Sequence, residues 1–433
     1  MKNKQVIVRF PPSPTGPLHV GGARTALFNY LFAKQNGGQI FLRIEDTDRE
    51  RSKPEFEQNI IESLTWLGLE FDNAQPIRQS ERSAIYRAAL EKLISNNTAY
   101  VSREEIEKKD KRGEVIRLRN LGKVITFTDL IRGEISFDTT ELGDFVMAKS
   151  LDEPLYHFAV VVDDWRMNIS HVIRGEDHIS NTPRQILIQE ALGAPRPIYA
   201  HIPLILAPDR SKLSKRHGAV SVTEYRDQGY LPEALVNYLA LLGWNPGTDQ
   251  ELFSLKELVK LFSLERIQHG GAIFDLEKLK WLNREYLKQV SETIWQDCFT
   301  SDWSTELRPK LIPLLRERVA TLEEAKSFIA NGEYDYFRTT PVVARKLLKN
   351  PETLSQTITL LKSISENSFN SEQIKTALTA YAEKIGRAAV LGTFRVALSG
   401  RERSPDPFTI ASILGKKETL TRLQKILNRY DVE

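Results

Sequence analysis

Residues able to do chemistry gather in three short stretches. The first is Arg9-Phe10-Pro11-Pro12-Ser13-Pro14-Thr15-Gly16-Pro17-Leu18-His19-Val20-Gly21-Gly22. Its prolines fix the backbone of a loop, and Gly21 and Gly22 let a ligand come close to the main chain. At the start of a following helix, unpaired N–H groups and the helix dipole favour phosphate, and His19 would face that phosphate as a donor. Read without a ligand, the same stretch is a strand-to-helix turn. The second stretch is Arg43-Ile44-Glu45-Asp46-Thr47-Asp48. Taken alone it is an exposed acidic turn that opens the next helix, with Asp48 or Ser52 as cap and Pro54 in the first turn. The third, Lys212-Leu213-Ser214-Lys215-Arg216, offers cations to phosphate oxygens, or is a solvated basic loop.

The elements that must position these stretches are legible from periodicity. Val6 to Phe10 is an apolar run of strand type. Ala23, Ala26, Leu27, Tyr30 and Leu31 recur at helical spacing up to Gly37-Gly38, and Gln39 to Ile44 is a second strand. In an open parallel sheet the ligand site lies beyond the carboxyl ends of the strands, where Arg9, Ser13, Glu45 and Asp46 fall. Phe56, Ile60, Leu64 and Leu67 mark an amphipathic helix ending at Gly68. Beyond it the pattern loosens: a helix over Ser83 to Asn96, a charged run Arg103 to Arg112 read as a solvated helix, and short strands Val115 to Leu118 and Glu134 to Phe137. Leu155 to Val162 has buried-strand character. Ile169 to Arg174 is a further strand, followed by a helix with Asn181 or Thr182 as cap and Pro183 at its start, then a strand over Tyr199 to Leu206. The resumed alternation predicts an α/β fold with a doubly wound parallel sheet, interrupted by an α+β insertion. His178 and His201 read as polar loop or strand-end residues, not metal ligands.

The remainder is helical. Helices are expected over Pro232 to Leu242, Leu255 to Phe262, Leu276 to Glu285, Glu306 to Glu317, Glu323 to Ile329, Pro341 to Leu348, Glu352 to Ile364, Ser371 to Ile385, Ala388 to Leu398 and Lys417 to Asn428. The chain of 433 residues is long enough for two or more domains. No apolar run reaches membrane-spanning length, and Met1-Lys2-Asn3-Lys4 leads into a strand without a signal-peptide core, so a cytoplasmic protein is expected. Cys298 is the only cysteine, which excludes an intrachain disulfide and a multi-cysteine zinc site. The net charge is +3, but residues 301–433 carry 21 Lys+Arg and 16 Asp+Glu, a basic surface that could meet phosphates.

Taken together and in order, the three stretches resemble the motifs of the glutamyl-tRNA synthetases, a family of class I aminoacyl-tRNA synthetases. Pro-Ser-Pro-Thr-Gly with His-Val-Gly-Gly is similar to the family's "HIGH" motif. Arg43 to Asp48 resembles its motif after the second strand, and Lys212 to Arg216 its "KMSKS" loop. The resemblance implies a Rossmann-like catalytic domain in two halves (1–72 and 154–220), an inserted domain that binds the acceptor end of tRNA (73–153), a helical stem-contact domain (221–300) and a helical anticodon-binding domain (301–433). It implies ATP with Mg²⁺, L-glutamate and tRNA-Glu as substrates, no zinc, no membrane, and a monomer, with tRNA-Gln as the alternative second acceptor. ATP would meet Pro12, Thr15, His19, Gly21, Gly22, Lys212, Ser214 and Lys215, of which His19, Lys212 and Lys215 would be catalytic. Glutamate would meet Arg9, Ser13, Glu45, Tyr156 and Arg174, with Asp177 in support. Arg318 would read the third anticodon base, and Arg395, Arg401 and Arg403 would be further contacts with the anticodon loop. The segment between Tyr100 and Val115 is shorter than in many relatives.

Four other readings differ in testable features. A glutaminyl enzyme commonly has a β-barrel anticodon region. A shortened relative that glutamylates a tRNA base lacks the C-terminal domain. A small nucleotidyltransferase would not need 200 further helical residues, and a catalytically dead tRNA-binding paralogue would not need His19, Lys212 and Lys215.

Overall fold

The computed structural model describes residues 5–105, 112–211, 213 and 220–430. The chain divides into two compact units, Met1–Tyr286 and Leu287–Glu433.

The first unit opens with β1 (Ile7–Phe10), α1 (Val20–Gln35) and β2 (Gln39–Ile44), the two strands parallel with Ile7 opposite Gln39 and Phe10 opposite Leu42. Then α2 (Pro54–Trp66) leads to β3 (Ile77–Arg78), parallel to β2. The insertion follows: α3 (Ser83–Ser95), β4 (Ala99–Glu105), β5 (Arg112–Leu118), β6 (Val124–Asp129), β7 (Gly133–Asp138), β8 (Phe145–Ser150) and β9 (Glu153–Pro154). Of these, β4, β5, β8 and β9 form an antiparallel sheet of their own. The chain then returns through α4 (Tyr156–Arg166), β10 (His171–Gly175), α5 (Thr182–Leu192), β11 (Ile198–Ile202) and β12 (Ile205–Leu206).

Strands β10 and β11 are parallel, and the antiparallel hairpin β6–β7 extends them at an edge where Asp129 pairs with Tyr199. Ser170, just ahead of β10, joins this sheet to the first. Its Oγ accepts the Ile7 N–H at 2.7 Å, and its own N–H donates to the Ile7 carbonyl at 2.9 Å. Across the layer the order is β3-β2-β1-β10-β11-β6-β7. Successive strands run outward from β1 on one side and from β10 on the other, so the order reverses between them. In such sheets the crevice outside the carboxyl ends at the reversal is the ligand site. Behind it, α1 buries Ala23, Ala26, Leu27 and Leu31 against Val8, Ile40 and Ile44. Each large apolar side chain removed from water in this way contributes about 1.5–3 kcal/mol.

The unit closes with α6 (Val222–Asp227), α7 (Pro232–Leu241), α8 (Leu255–Leu261), β13 (Ala272–Ile273), which pairs with β12, and α9 (Leu276–Leu287). Ser221 with Glu224 and Ser254 with Glu257 form capping boxes that satisfy the first N–H groups of α6 and α8. Among its described residues the second unit is helical: α10 (Glu292–Trp295), α11 (Arg308–Arg318), α12 (Leu322–Ala330), α13 (Thr353–Lys362), α14 (Ser371–Ile385), α15 (Thr393–Ser399) and α16 (Pro407–Tyr430), the last broken at Gly415, where φ is 81°. No helix among the described residues is long and apolar enough to cross a membrane.

Several expectations need correction. Leu155 to Val162 is not a strand but the start of α4. Phe158 to Val162 are all buried, so the helix shows no polar face to mark its period. The expected strand Tyr199 to Leu206 is two, because Pro203 has no N–H to continue the ladder and β12 turns to β13. In the run Arg103 to Arg112, the described ends are strand: Arg103 faces Glu114 and Glu105 faces Arg112. Helix α2 starts at Pro54 with Lys53 at its N-cap and no side-chain cap, while Asp48 instead binds the Arg51 N–H in a turn of its own. Asn181 occupies the N-cap of α5 without a capping bond, its side chain turned to His178. Pro341 to Leu348 forms only a short 3-10 turn at Arg345–Leu347, consistent with the stiff pair Val342-Val343. The segment over Ala388 to Leu398 begins as a π turn before α15.

The approach of β1 to β2 makes one position unusually exacting. A Cβ on Gly38 would lie 2.3 Å from the Val6 carbonyl oxygen and 2.8 Å from Val6 Cβ. Gly38→Ala is expected to destabilise the first unit by about 2 kcal/mol, since overpacking forces the backbone apart. Urea unfolding checks this, and an unchanged midpoint would refute the close approach.

Candidate active site

A cleft of about 680 Å³ opens where the strand order reverses. The loop after β1 supplies Ser13, Thr15, Gly16 and His19, α1 supplies Gly21, Gly22 and Arg24, and the ends of β1, β2 and β10 supply Arg9, Glu45 and Arg174. Tyr156, from the first turn of α4, also lines it, as do Asp177, His178, Leu213, Val220 and Glu224. The structure thus brings together Arg9, Ser13, Thr15, His19, Gly21, Gly22, Glu45, Tyr156 and Arg174 from the sequence reading. Pro12 is not among the lining residues; its carbonyl accepts the Glu45 N–H at 2.9 Å and so ties the loop to the end of β2. Lys212, Ser214 and Lys215 lie outside the described residues.

His19 is the N-cap of α1. Its Nδ1 accepts the N–H groups of Gly21 and Gly22 at 3.1 and 3.2 Å, which places the proton of the neutral ring on Nε2. The first free donors of the helix are therefore taken by its own cap, contrary to the expectation that they stand open. The two glycines have a packing reason too: a Cβ on Gly21 would come within 3.1 Å of the imidazole, and one on Gly22 within 2.9 Å of Leu18.

The two arginines at the strand ends differ in how their charge is met. Buried Arg9 donates from Nε and Nη2 to Asp164 at 3.1 and 3.4 Å, and its buried Nη1 has no hydrogen-bond partner. Arg43, also buried, bridges Asp164 (2.7 Å) and Glu45 (3.0 Å). Burial pushes the Glu45 carboxyl up to about 7, against the pull of the Arg43 guanidinium. Burial also opposes ionisation of Asp164, but Arg9 and Arg43 outweigh it and hold the carboxyl below its usual range.

Arg174 is buried and makes its bonds to neutral groups only. Nε donates to His201 Nε2 (3.1 Å), Nη1 to Gln185 Oε1 (2.8 Å), and Nη2 to Thr182 Oγ1 (2.8 Å) and the His178 carbonyl (3.4 Å). Desolvation lowers its pKa. Of five guanidinium donors, four are used and one on Nη1 remains. The Arg174 fork is thus mostly engaged by protein; the donors without a protein partner are one on Arg174 and those on Nη1 of Arg9. Tyr156 shares a hydrogen bond with His178 Nδ1 at 3.2 Å, and burial raises its hydroxyl to about 12 while lowering His178 to about 4. Both are neutral near pH 7.

Sequence reasoning missed the groups behind the wall. Asp164 lay just past the stretch Leu155 to Val162, in a segment given no element, and Gln185, Thr182, His201 and Asp129 gave no motif. Arg24, which carries no motif, is buried and donates to the carbonyls of Leu242 and Pro203. In the second unit, exposed Arg318 ends α11 with its guanidinium 5.7 Å from the ring centre of Phe328. Arg395 donates to the Glu402 carbonyl at 2.7 Å, Arg401 to that of Gly332 at 2.7 Å, and Arg403 is exposed.

Residues 5–119 and 102–281 match the family model of the class I tRNA synthetase (E and Q) catalytic domain, and residues 263–427 match an anticodon-binding domain. The chain is 42% identical to the glutamate–tRNA ligase of Carboxydothermus hydrogenoformans over 98% of this chain and 100% of that one. It is 40% identical to glutamate–tRNA ligase 1 of Caldanaerobacter subterraneus subsp. tengcongensis, covering 98% of each. Among solved structures it is similar to a glutamate tRNA ligase from Elizabethkingia meningosepticum in complex with its amino acid, with a TM-score of 0.87 and 33% identity over 98% of this chain and 99% of that one. Matched by the family model over most of its length and by glutamate–tRNA ligases at about 40% identity over nearly all of it, the chain belongs to the glutamate–tRNA ligase family of class I tRNA synthetases.

Proposed function

We propose that this protein activates L-glutamate with ATP and transfers it to the 3′ end of tRNA-Glu. The observation that carries the reading is the buried Arg174, a cation met only by neutral groups, sharing one cleft with the open Nη1 of Arg9 and with the Glu45 carboxylate. An uncompensated buried cation favours an anion beside it. Glutamate has an anion to place there and an ammonium for Glu45.

The chemistry needs no protein nucleophile. The glutamate α-carboxylate attacks the α-phosphorus of ATP, and pyrophosphate leaves with the bridging oxygen. A terminal ribose hydroxyl of tRNA then attacks the acyl carbon of the adenylate, loses its proton and displaces AMP. What the protein supplies is placement and compensation of charge on phosphate oxygens. Mg²⁺ enters with the phosphates of ATP. His19 presents Nε2–H from a ring fixed by its own helix cap, and Lys212 and Lys215 are assigned to phosphate by their motif. Ser13 and Tyr156 add hydrogen bonds to glutamate. Glutamine would leave a donor unmatched in a dry site, which discriminates strongly. Arg318 is assigned to the anticodon, where a guanidinium can read a base edge. Activity as a monomer in the cytoplasm is part of the same reading.

Charging purified tRNA-Glu and tRNA-Gln with labelled glutamate and ATP tests this. Glutamate on tRNA-Glu is expected; no charging of either would overturn the proposal in favour of a binding-only protein.

His19→Asn keeps a capping side chain and loses the imidazole. Adenylate formation should fall at least about 100-fold, the scale of losing one charge-stabilising donor. His19→Ala should lose as much activity and about 1 kcal/mol of stability as well. Retention of normal activation by His19→Asn would remove the phosphate role.

Because the Glu45 carboxyl sits near 7, its charge is present above that pH and lost below it. The KM for glutamate should therefore rise by about tenfold per pH unit below 7 and level off above 8. A flat profile between pH 6 and 8 would show that Glu45 does not hold the ammonium.

A further inference from the structure

The Arg174 guanidinium is backed by a chain of buried groups that the reaction itself does not use. Its Nε–H donates to His201 Nε2 at 3.1 Å, and His201 Nδ1 lies 2.6 Å from Asp129 Oδ2. All three side chains are buried. The donors can be assigned from chemistry alone: Arg174 can only donate, so His201 Nε2 must accept, and the ring proton must sit on Nδ1, pointing at Asp129. Asp129 is held ionised. Its Oδ1 accepts the backbone N–H groups of Ile131 (3.0 Å), Arg132 (2.9 Å) and His201 (3.2 Å), and its carboxyl lies below the usual range, with these bonds and His201 outweighing burial.

We propose that His201 and Asp129 are positioning residues for glutamate recognition. Asp129 fixes the His201 tautomer, and His201 in that tautomer fixes the Arg174 guanidinium with its remaining Nη1 donor aimed at the substrate carboxylate. The inference rests on the reading of Arg174 as a glutamate-binding residue. Asp129 stands behind Arg174 with one imidazole between them, so the cation is steadied without being neutralised. A direct carboxylate partner would compete with the substrate; a neutral ring in between does not. Asp129 ends β6, and its neighbour Arg132 reaches the His269 carbonyl at 2.6 Å and pairs with Glu176, whose other oxygen accepts the Leu204 N–H at 2.7 Å. The hairpin β6–β7 is thereby held at two points to the strand ends that form the cleft.

Asp129→Asn tests the relay with almost no change of volume. The amide oxygen can keep the three backbone N–H groups. The amide nitrogen then faces His201 Nδ1 as a donor, which moves the ring proton to Nε2 and sets it against the Arg174 Nε–H. The KM for glutamate is expected to rise roughly 10- to 100-fold, the scale of losing a hydrogen bond to a charged group. The KM for ATP and the thermal midpoint should change little, and preference for glutamate over glutamine should fall by a similar factor. Arg174→Gln is measured alongside. If Arg174→Gln leaves the KM for glutamate unchanged, the reading of Arg174 fails and the relay with it. If Arg174→Gln raises that KM and Asp129→Asn does not, the relay alone is wrong. Equal rises in both KM values for Asp129→Asn would show a merely structural residue and would also overturn the proposal.

Discussion

A cluster of six charged side chains, five of them buried and Arg82 partly exposed, ties together the first strands and helices of the first unit. Arg9, Arg43 and Arg82 face Glu45, Asp163 and Asp164, with closest contacts of 3.1 Å for Arg9–Asp164, 2.7 Å for Arg43–Asp164, 3.0 Å for Arg43–Glu45 and 2.7 Å for Arg82–Asp163. Asp163 also accepts from Gln79 and Tyr86, at 2.9 and 2.7 Å. The set is balanced at full ionisation, three against three. Stranding one buried ion by removing its partner costs about 3–5 kcal/mol, whereas the assembled pair is worth far less than its Coulomb attraction suggests. The cluster therefore acts chiefly against wrong arrangements. It draws on β1, β2, the start of α3 and α4, four elements that meet only when the chain has folded back on itself.

The cleft inherits its polarity from that arrangement. On the side of β2, Glu45 lies beside Arg43 and keeps a carboxylate at the wall. On the side of β10, Arg174 lies among His201, Gln185, Thr182 and a carbonyl, all uncharged. Arg9 stands between, half satisfied by Asp164 and open at Nη1. An amino acid with an ammonium at one end and a carboxylate on its side chain matches such a gradient, and a neutral amide does not. In the proposed reading, selectivity rests on which protein charges are left partly unmet.

What was legible in the sequence was what periodicity or a run of special residues records. The first strand, helix and strand were read within a few residues, because Pro11-Pro12 and Gly37-Gly38 punctuate the apolar runs on either side of α1. Helix α4 was misread because its five consecutive buried apolar residues, Phe158 to Val162, look like a central strand. Asp163 and Asp164 were hidden with it, and so was the partner of Arg9. Likewise, His201 and Asp129 matter through a contact 72 residues apart in the chain. Spacing cannot show such a pair. His19 illustrates a subtler limit: the stretch correctly marks a helix start, but only geometry shows that the histidine itself occupies the first N–H groups.

The junction at Ile7 and Ser170 has a consequence in time. These residues are 163 positions apart. At the usual pace of synthesis, 5–20 residues per second, Ser170 is made roughly 8–30 s after Ile7. During that interval β1 and β2 can already pair, yet the far edge of β1 has no strand to meet, and it lies in the middle of the finished layer. An unpaired, apolar strand edge is a template for pairing with other chains. The nascent protein must pass through a stage in which its future centre is a border, and whatever shields that border in the cell decides how much of the chain survives to close it.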